Sequence, residues 1–204
     1  MTDHPRVNNS GSNLSTKPPE ILLPNESESL MSQAFDSSYR DYIMIYLTLL
    51  TGLRNTEVIS LTVFCVKPYG QVANDVEVPA LIAKGSHARS IPLHPDLKME
   101  LNKFLNWKLM HNEPCDPDSP LFCSKRTKNQ LSPRDFQRIV QLHSTKSINR
   151  SVHPHVLRHT FATRLLAKSN LSIVQQMLGH KSIQTTQIYL HPTRDDFTKA
   201  IGDM

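Results

Sequence analysis

Residues 153–170 read HPHVLRHTFATRLLAKSN, with three histidines and an arginine set around a proline. Proline is well tolerated in the first turn of a helix, where its missing N–H costs nothing. Pro154 therefore predicts a helix starting at about His155. Each residue advances about 100° around the axis, which places Leu157, Phe161 and Leu165 on one apolar stripe. His155 and Arg158 fall about 60° apart on a different face. Both lie in the first turn, where unpaired backbone N–H groups and the helix dipole favour an anion. The chemistry open to this segment is the gripping of a negatively charged group. The same residues also suit a capped surface helix with basic decoration.

Charge elsewhere favours the anion. The 204-residue chain carries a formal net charge of +5, unevenly spread. Residues 125–164 hold nine Lys/Arg against one acid, Asp135, whereas residues 1–34 hold two against four Asp/Glu. Such a concentration marks a polyanion partner. The hydrophobic fraction of 38% and charged fraction of 20% suit a soluble globular protein. No apolar run reaches the length of a membrane span, and the polar N-terminus is not a signal peptide. Three cysteines, an odd and sparse set, point to a reducing, cytoplasmic compartment. His111, Cys115 and Cys123 follow no usual zinc spacing, so no metal is expected.

These residues need a scaffold, and periodicity supplies one. Residues 1–32, rich in Asn, Ser, Pro and Thr, read as a disordered polar leader. A catalytic domain is expected over 33–192. Tyr39, Tyr42, Ile43, Tyr46, Leu47 and Leu50 recur at helical spacing and read as core, with Gly52 as the stop. A short helix follows across TEVISLT, with Asn55 as its cap. VFCV, VEVPALIA and RSIPLH predict a small antiparallel sheet of two or three strands, irregular or at an edge because of Pro79 and Pro92. Helices resume with DLKMELNKFLNWKLM, burying Leu97, Leu101, Phe104, Leu105 and Leu109. Another begins after Ser132-Pro133 and exposes Arg134 and Arg138. LSIVQQMLGH, ended by Gly179, and SIQTTQIYLH follow. Tyr69 reads as a structural loop residue. The fold class is mainly α with a small antiparallel β-sheet, that is α+β.

Four segments then read together: TGLRNTEVISL (51–61), AKGSHARSIPL (83–93), HPHVLRHTFATRLL (153–166) and LGHKSIQTTQIY (178–189). In this order they resemble the tyrosine recombinases, the phage-integrase family of site-specific DNA recombinases. The family's first arginine motif is matched at Thr51, Gly52, Leu53, Arg54, Glu57 and Leu61. Its hairpin lysine is matched by Lys84, although Ala83 stands where the family usually has Gly. Its H-x-L-R-H box appears as His155, Leu157, Arg158 and His159. Its L-G-H box and the tyrosine nine residues later appear as Leu178, Gly179, His180 and Tyr189.

The resemblance implies phosphodiester cleavage through a covalent 3′-phosphotyrosine, without metal, ATP or other cofactor. Such chemistry needs an in-line nucleophile, cations on the nonbridging oxygens and a proton for the leaving oxygen. Arg54 and Arg158 can each present a planar fork to phosphate oxygens. Tyr189 is the implied nucleophile. His155 would assist its proton transfer, His180 would donate to a phosphate oxygen, and Lys84 would protonate the departing 5′ oxygen. His87 and Arg89 offer further charge near Lys84. Glu57 would orient basic partners, and His159 would buttress the site.

The implied partner is double-stranded DNA, bound by a homotetramer, with accessory DNA-bending proteins as a further partner class and a nucleoid-associated location. Lys125, Arg126, Lys128, Arg134 and Arg138 are the candidate DNA-backbone contacts. Residues 193–204 are expected to pack against a neighbouring subunit through Phe197 and Ile201. In layout the chain resembles short single-domain members such as the fimbrial-switch invertases, which lack the helical core-binding domain that most members carry. Two other readings share the fold: a DNA-binding accessory protein that has lost cleavage, and a type IB topoisomerase-like relaxing enzyme.

Overall fold

The computed structural model describes residues 20–83, 87–180, 184–187 and 189. Lys84 and the 193–204 tail lie outside them. The described part is mainly helical with one two-stranded sheet, the expected class.

Helix α2 (Tyr39–Thr51) is the centre, packed against α1 (Pro24–Ser37), α4 (Pro95–Met110) and α6 (Pro154–Leu166). Its YIMIYLTLL run leaves Ile43, Met44, Ile45 and Leu47 without solvent contact. Being apolar nearly all round is what a helix enclosed by others requires. Gly52 ends it at φ 64°, a left-handed conformation that favours glycine. A Cβ there would also come within 2.3 Å of the Phe161 ring on α6. The bare backbone at Gly52 thus sets how closely α2 and α6 approach.

Residues 20–32, expected as part of the polar leader, are folded. Helix α1 begins at Pro24 and buries Ser27, Leu30 and Ala34 on one stripe, with Leu22 buried just ahead of it. Polar anchors supplement so narrow a stripe. Leu22 N–H donates to Thr160 Oγ1 at 2.8 Å, and Arg164 donates to Ser27 Oγ at 2.6 Å. Arg150 pairs with Glu20 and Glu26. These partners lie more than 120 residues away, so composition counted the segment as leader.

Strands β1 (Asp75–Val78) and β2 (Arg89–Pro92) pair antiparallel, Val76 opposite Ile91. VFCV is not a strand: Val63–Cys65 forms a 3-10 turn, whose Val63 and Phe64 N–H groups donate to Ser119 O and Pro117 O. In α3 (Asn55–Ser60) the cap is Arg54 rather than Asn55, because the Glu57 carboxylate accepts from the Arg54 N–H at 2.8 Å. Tyr39, Tyr42 and Tyr46 are half-buried at the rim of the core, ring against ring, rather than inside it. Leu109 is exposed, and so is Tyr69, at 91%. Helix α5 (Pro133–Ile148) starts as expected, with Ser132 Oγ accepting from Asp135 N–H and Asp135 accepting from Ser132 N–H.

A second, smaller apolar cluster joins α6, α7 (Leu171–Leu178) and Tyr189, which follows α8 (Gln184–Gln187). It contains Phe161, Ala162, Val174, Leu178 and Tyr189. Above it stands the site.

Candidate active site

The site forms around the C-terminal end of α7. A helix leaves its last carbonyls unpaired, and its dipole makes that end negative. Three arginines from three elements take three consecutive carbonyls there. Arg89 Nε donates to Met177 O at 3.3 Å, Arg158 Nη2 to Leu178 O at 2.9 Å and Arg54 Nη2 to Gly179 O at 3.2 Å. Gly179, at φ 62°, turns the chain away. A Cβ on it would press on the Arg89 guanidinium at 3.2 Å.

One carboxylate aligns two of these arginines. Glu57 is fully buried. It accepts from Arg54 Nη1 at 2.9 Å and, through both oxygens, from Arg89 Nη1 at 3.0 Å and Nη2 at 2.7 Å. Burial pushes its pKa up, but the hydrogen bonds from Arg89 and the Arg54 N–H, with both positive charges, bring it below the usual value. It stays ionised and orients basic partners.

Arg158 is buried and spans the space between helices, with Nη1 on Gly52 O at 2.5 Å and Nη2 within 2.9 Å of His180 Nε2. Burial, and then the Arg54 charge, lower its pKa to about 10, which leaves it protonated at neutral pH. His180 is brought down to about 4 by burial and by Arg158, Arg54 and Arg89, so it is neutral. Its Nε2 lone pair accepts from Arg158, which puts the proton on Nδ1, 2.9 Å from Thr186 Oγ1.

Tyr189 is buried, its hydroxyl 2.7 Å from His159 Nδ1. Burial raises its pKa, while Arg158 and Arg54 pull in the opposite direction. His159 is lowered to about 4 by burial, then by His155 and Arg158. A neutral imidazole faces a protonated phenol, and in the tautomer that carries its proton on Nε2 the Tyr189 O–H donates to Nδ1. His155, assigned proton transfer from the motif, sits exposed in the first turn of α6. The group at the phenol is His159, expected only as a buttress. The two histidines are four residues apart and so lie on one face of α6, but His159 sits a full turn farther along the helix, level with Tyr189.

Arg54, Glu57, Arg158, His180, His159 and Tyr189 are therefore brought together. Arg89 completes the set. Its signal was strand alternation: Arg89 shares a face with the buried Ile91 and Leu93, an unusual place for a charge. Nothing local marked Thr186. A cleft of about 630 Å³ opens between β2 and α7, with His87, Arg89, Gln176 and His180 on its walls.

Of the candidate backbone contacts, Lys125 and Arg126 are exposed in the turn between the paired residues Cys123 and Gln130. Lys128, half-buried, lies 3.7 Å from Glu113. Arg134 and Arg138 are exposed on α5. Asn55 Nδ2 donates to Pro133 O at 3.0 Å, which ties the start of α5 to α3 beside Arg54.

Comparison with known proteins places this geometry in a class. The phage integrase family matches residues 20–195, and the chain belongs to that family. A tyrosine recombinase of Pseudothermotoga lettingae is 32% identical over 190 residues, covering 91% of this chain and 61% of the relative. Tyrosine recombinase XerA of Pyrococcus furiosus is also 32% identical, over 90% of this chain and 61% of its own. The chain thus spans about three fifths of these relatives' length. Among solved structures, a XerA recombinase superposes with TM-score 0.73 at 27% identity, covering 92% of this chain and 66% of its own. The catalytic domain of bacteriophage HP1 integrase shares the fold at TM-score 0.61 and 22% identity, over 90% of this chain and 94% of its own. Among the described residues no helix is long and apolar enough to cross a membrane.

Proposed function

We propose that this chain is a site-specific DNA recombinase that cuts and rejoins double-stranded DNA through a covalent 3′-phosphotyrosine at Tyr189. The observation that carries the reading is the convergence of three guanidinium groups on one helix end, with a phenol on the adjoining apolar cluster. Among these three arginines stands one carboxylate, Glu57, which pairs with Arg54 and Arg89 and leaves Arg158 on backbone carbonyls and His180. That leaves surplus positive charge, which suits a phosphate.

Arg54 and Arg158 grip the nonbridging oxygens of the scissile phosphate, and Arg89 acts through Glu57 to hold Arg54. Tyr189 Oη attacks phosphorus as its proton passes to His159 Nδ1. The bond to the 5′ oxygen breaks, and that oxygen takes a proton from Lys84. His155, on the exposed turn, serves the substrate side of the proton transfer, and His180 donates to a phosphate oxygen. One phosphodiester replaces another, so the bond energy is retained for religation. Two rounds of exchange within a DNA-bound tetramer produce recombinant strands, with residues 193–204 packing between subunits.

A nicked suicide substrate tests the chemistry. Wild-type protein is expected to become covalently linked to DNA, and Tyr189→Phe is not. An adduct in the variant, or none in the wild type on its cognate site, overturns the proposal. Relaxation of supercoiled DNA without strand-exchanged products would mark a relaxing enzyme instead.

A further inference from the structure

We propose that Thr186 is a positioning residue for His180: its buried hydroxyl holds the imidazole by Nδ1 and so presents Nε2 to Arg158 and to any anion that Arg158 binds. This inference rests on the function proposed above and deepens it.

Imidazole has two nitrogens, and the hydrogen bond made by one decides what the other can do. His180 Nε2 lies 2.9 Å from Arg158 Nη2, and a guanidinium can only donate. With the ring neutral, Nε2 is the acceptor and Nδ1 carries the proton. The group 2.9 Å from Nδ1 is Thr186 Oγ1, on a residue with no solvent contact. The arrangement is Arg158 to His180 to Thr186, each donating to the next.

The resting ring therefore cannot donate to a phosphate, because its Nε2 lone pair is turned to Arg158. The charged groups facing it from the packed elements are Arg158, Arg54 and Arg89, with neutral His159 farther along α6. All oppose protonation. A bound phosphate reverses that balance: its negative charge lets Nε2 take one proton from solvent and donate to a phosphate oxygen. Nδ1–H stays on Thr186 in both states, so the ring need not rotate. Thr186 also lies three residues before Tyr189, whose N–H donates to Thr186 O at 3.1 Å. The residue that fixes His180 thus also fixes the backbone of the nucleophile.

The test combines nitrogen-15 NMR of His180 with cleavage kinetics on the full chain, using Thr186→Val, which keeps the shape and loses the hydroxyl, and Thr186→Ser, which keeps the hydroxyl. Wild-type protein without DNA is expected to show the proton on Nδ1, and Thr186→Val a mixture of tautomers. With Thr186→Val, single-turnover adduct formation should slow about tenfold, the value of one hydrogen bond. DNA affinity should be unchanged, and the alkaline limb of the pH–rate profile, where His180 loses its Nε2 proton, should move to lower pH. Thr186→Ser should restore both. An Nε2–H tautomer in the DNA-free wild type overturns the inference by itself, whether or not the variants fold. So does a Thr186→Val protein with wild-type tautomer and rate. Because the tautomer is read without DNA, its outcome is distinct from failure of the cleavage assay.

Discussion

Two buried clusters in this protein use the same chemical groups to different ends. At the start of α2, Asp41 accepts from Arg40 Nε at 2.9 Å and Nη2 at 2.6 Å, and its other oxygen lies 3.2 Å from His143 Nε2. Arg40 Nη1 closes onto Cys123 O. One carboxylate there balances one guanidinium, the imidazole completes the contacts, and α2 is tied to α5. At the end of α7, three guanidinium groups meet one carboxylate, which pairs with only two of them. The first cluster is compensated and structural. The second is left with excess positive charge, which the folded chain tolerates because helix carbonyls take part of it. A buried charge needs a partner; an anion site arises where the partners fall short.

The sharpest way to break this comparison is Arg158→Lys. It keeps the charge but replaces a planar fork bridging Gly52 O and Leu178 O with a single ammonium. Covalent adduct formation should fall on the order of 10²–10³-fold, measured with the suicide substrate. A fall below tenfold would mean that the fork is not what the phosphate meets. Next come the two carboxylates. Glu57→Gln and Asp41→Asn should each cost about 3 kcal/mol in urea denaturation, since each strands buried cations. Only Glu57→Gln should slow cleavage by the folded fraction. Equal effects of the two on cleavage would erase the distinction.

Gly52→Ala should cost about 2 kcal/mol, because it adds both a left-handed strain and a clash with Phe161. Thermal denaturation reads that loss. Smaller still, replacing Lys125, Arg126, Arg134 or Arg138 with Ala should each reduce the salt dependence of DNA binding by about one unit of slope where the residue meets a phosphate. An unchanged slope would show that residue to be a solvated charge.

A last difference is in pH. His159 and His180 are held at about 4, below the ordinary 6.5. Between those values the unfolded chain takes up protons that the folded chain refuses, so stability is full above about 6.5 and declines as pH falls toward 4. Glu57 and Asp41, also lowered, extend the loss below the ordinary carboxylate range. Asn at both histidines should flatten the upper part of the decline, read by denaturation at each pH.

Much of this protein was legible without coordinates, wherever the cause is local. Ser132-Pro133 and Pro154 announced the starts of α5 and α6, because capping and proline geometry act within one turn. Gly52 and Gly179 announced two helix ends for the same reason. The four motifs named most of the residues that meet at the site and implied their chemistry. Tertiary structure alone decided which carbonyl each guanidinium takes, that Arg89 shares Glu57 with Arg54, and that His159 rather than His155 holds the phenol. It also decided that residues 20–32 fold. Those outcomes depend on partners as far as 142 residues away in the chain. Side chains that distant meet only after the helices have packed, and no local propensity encodes where they will point.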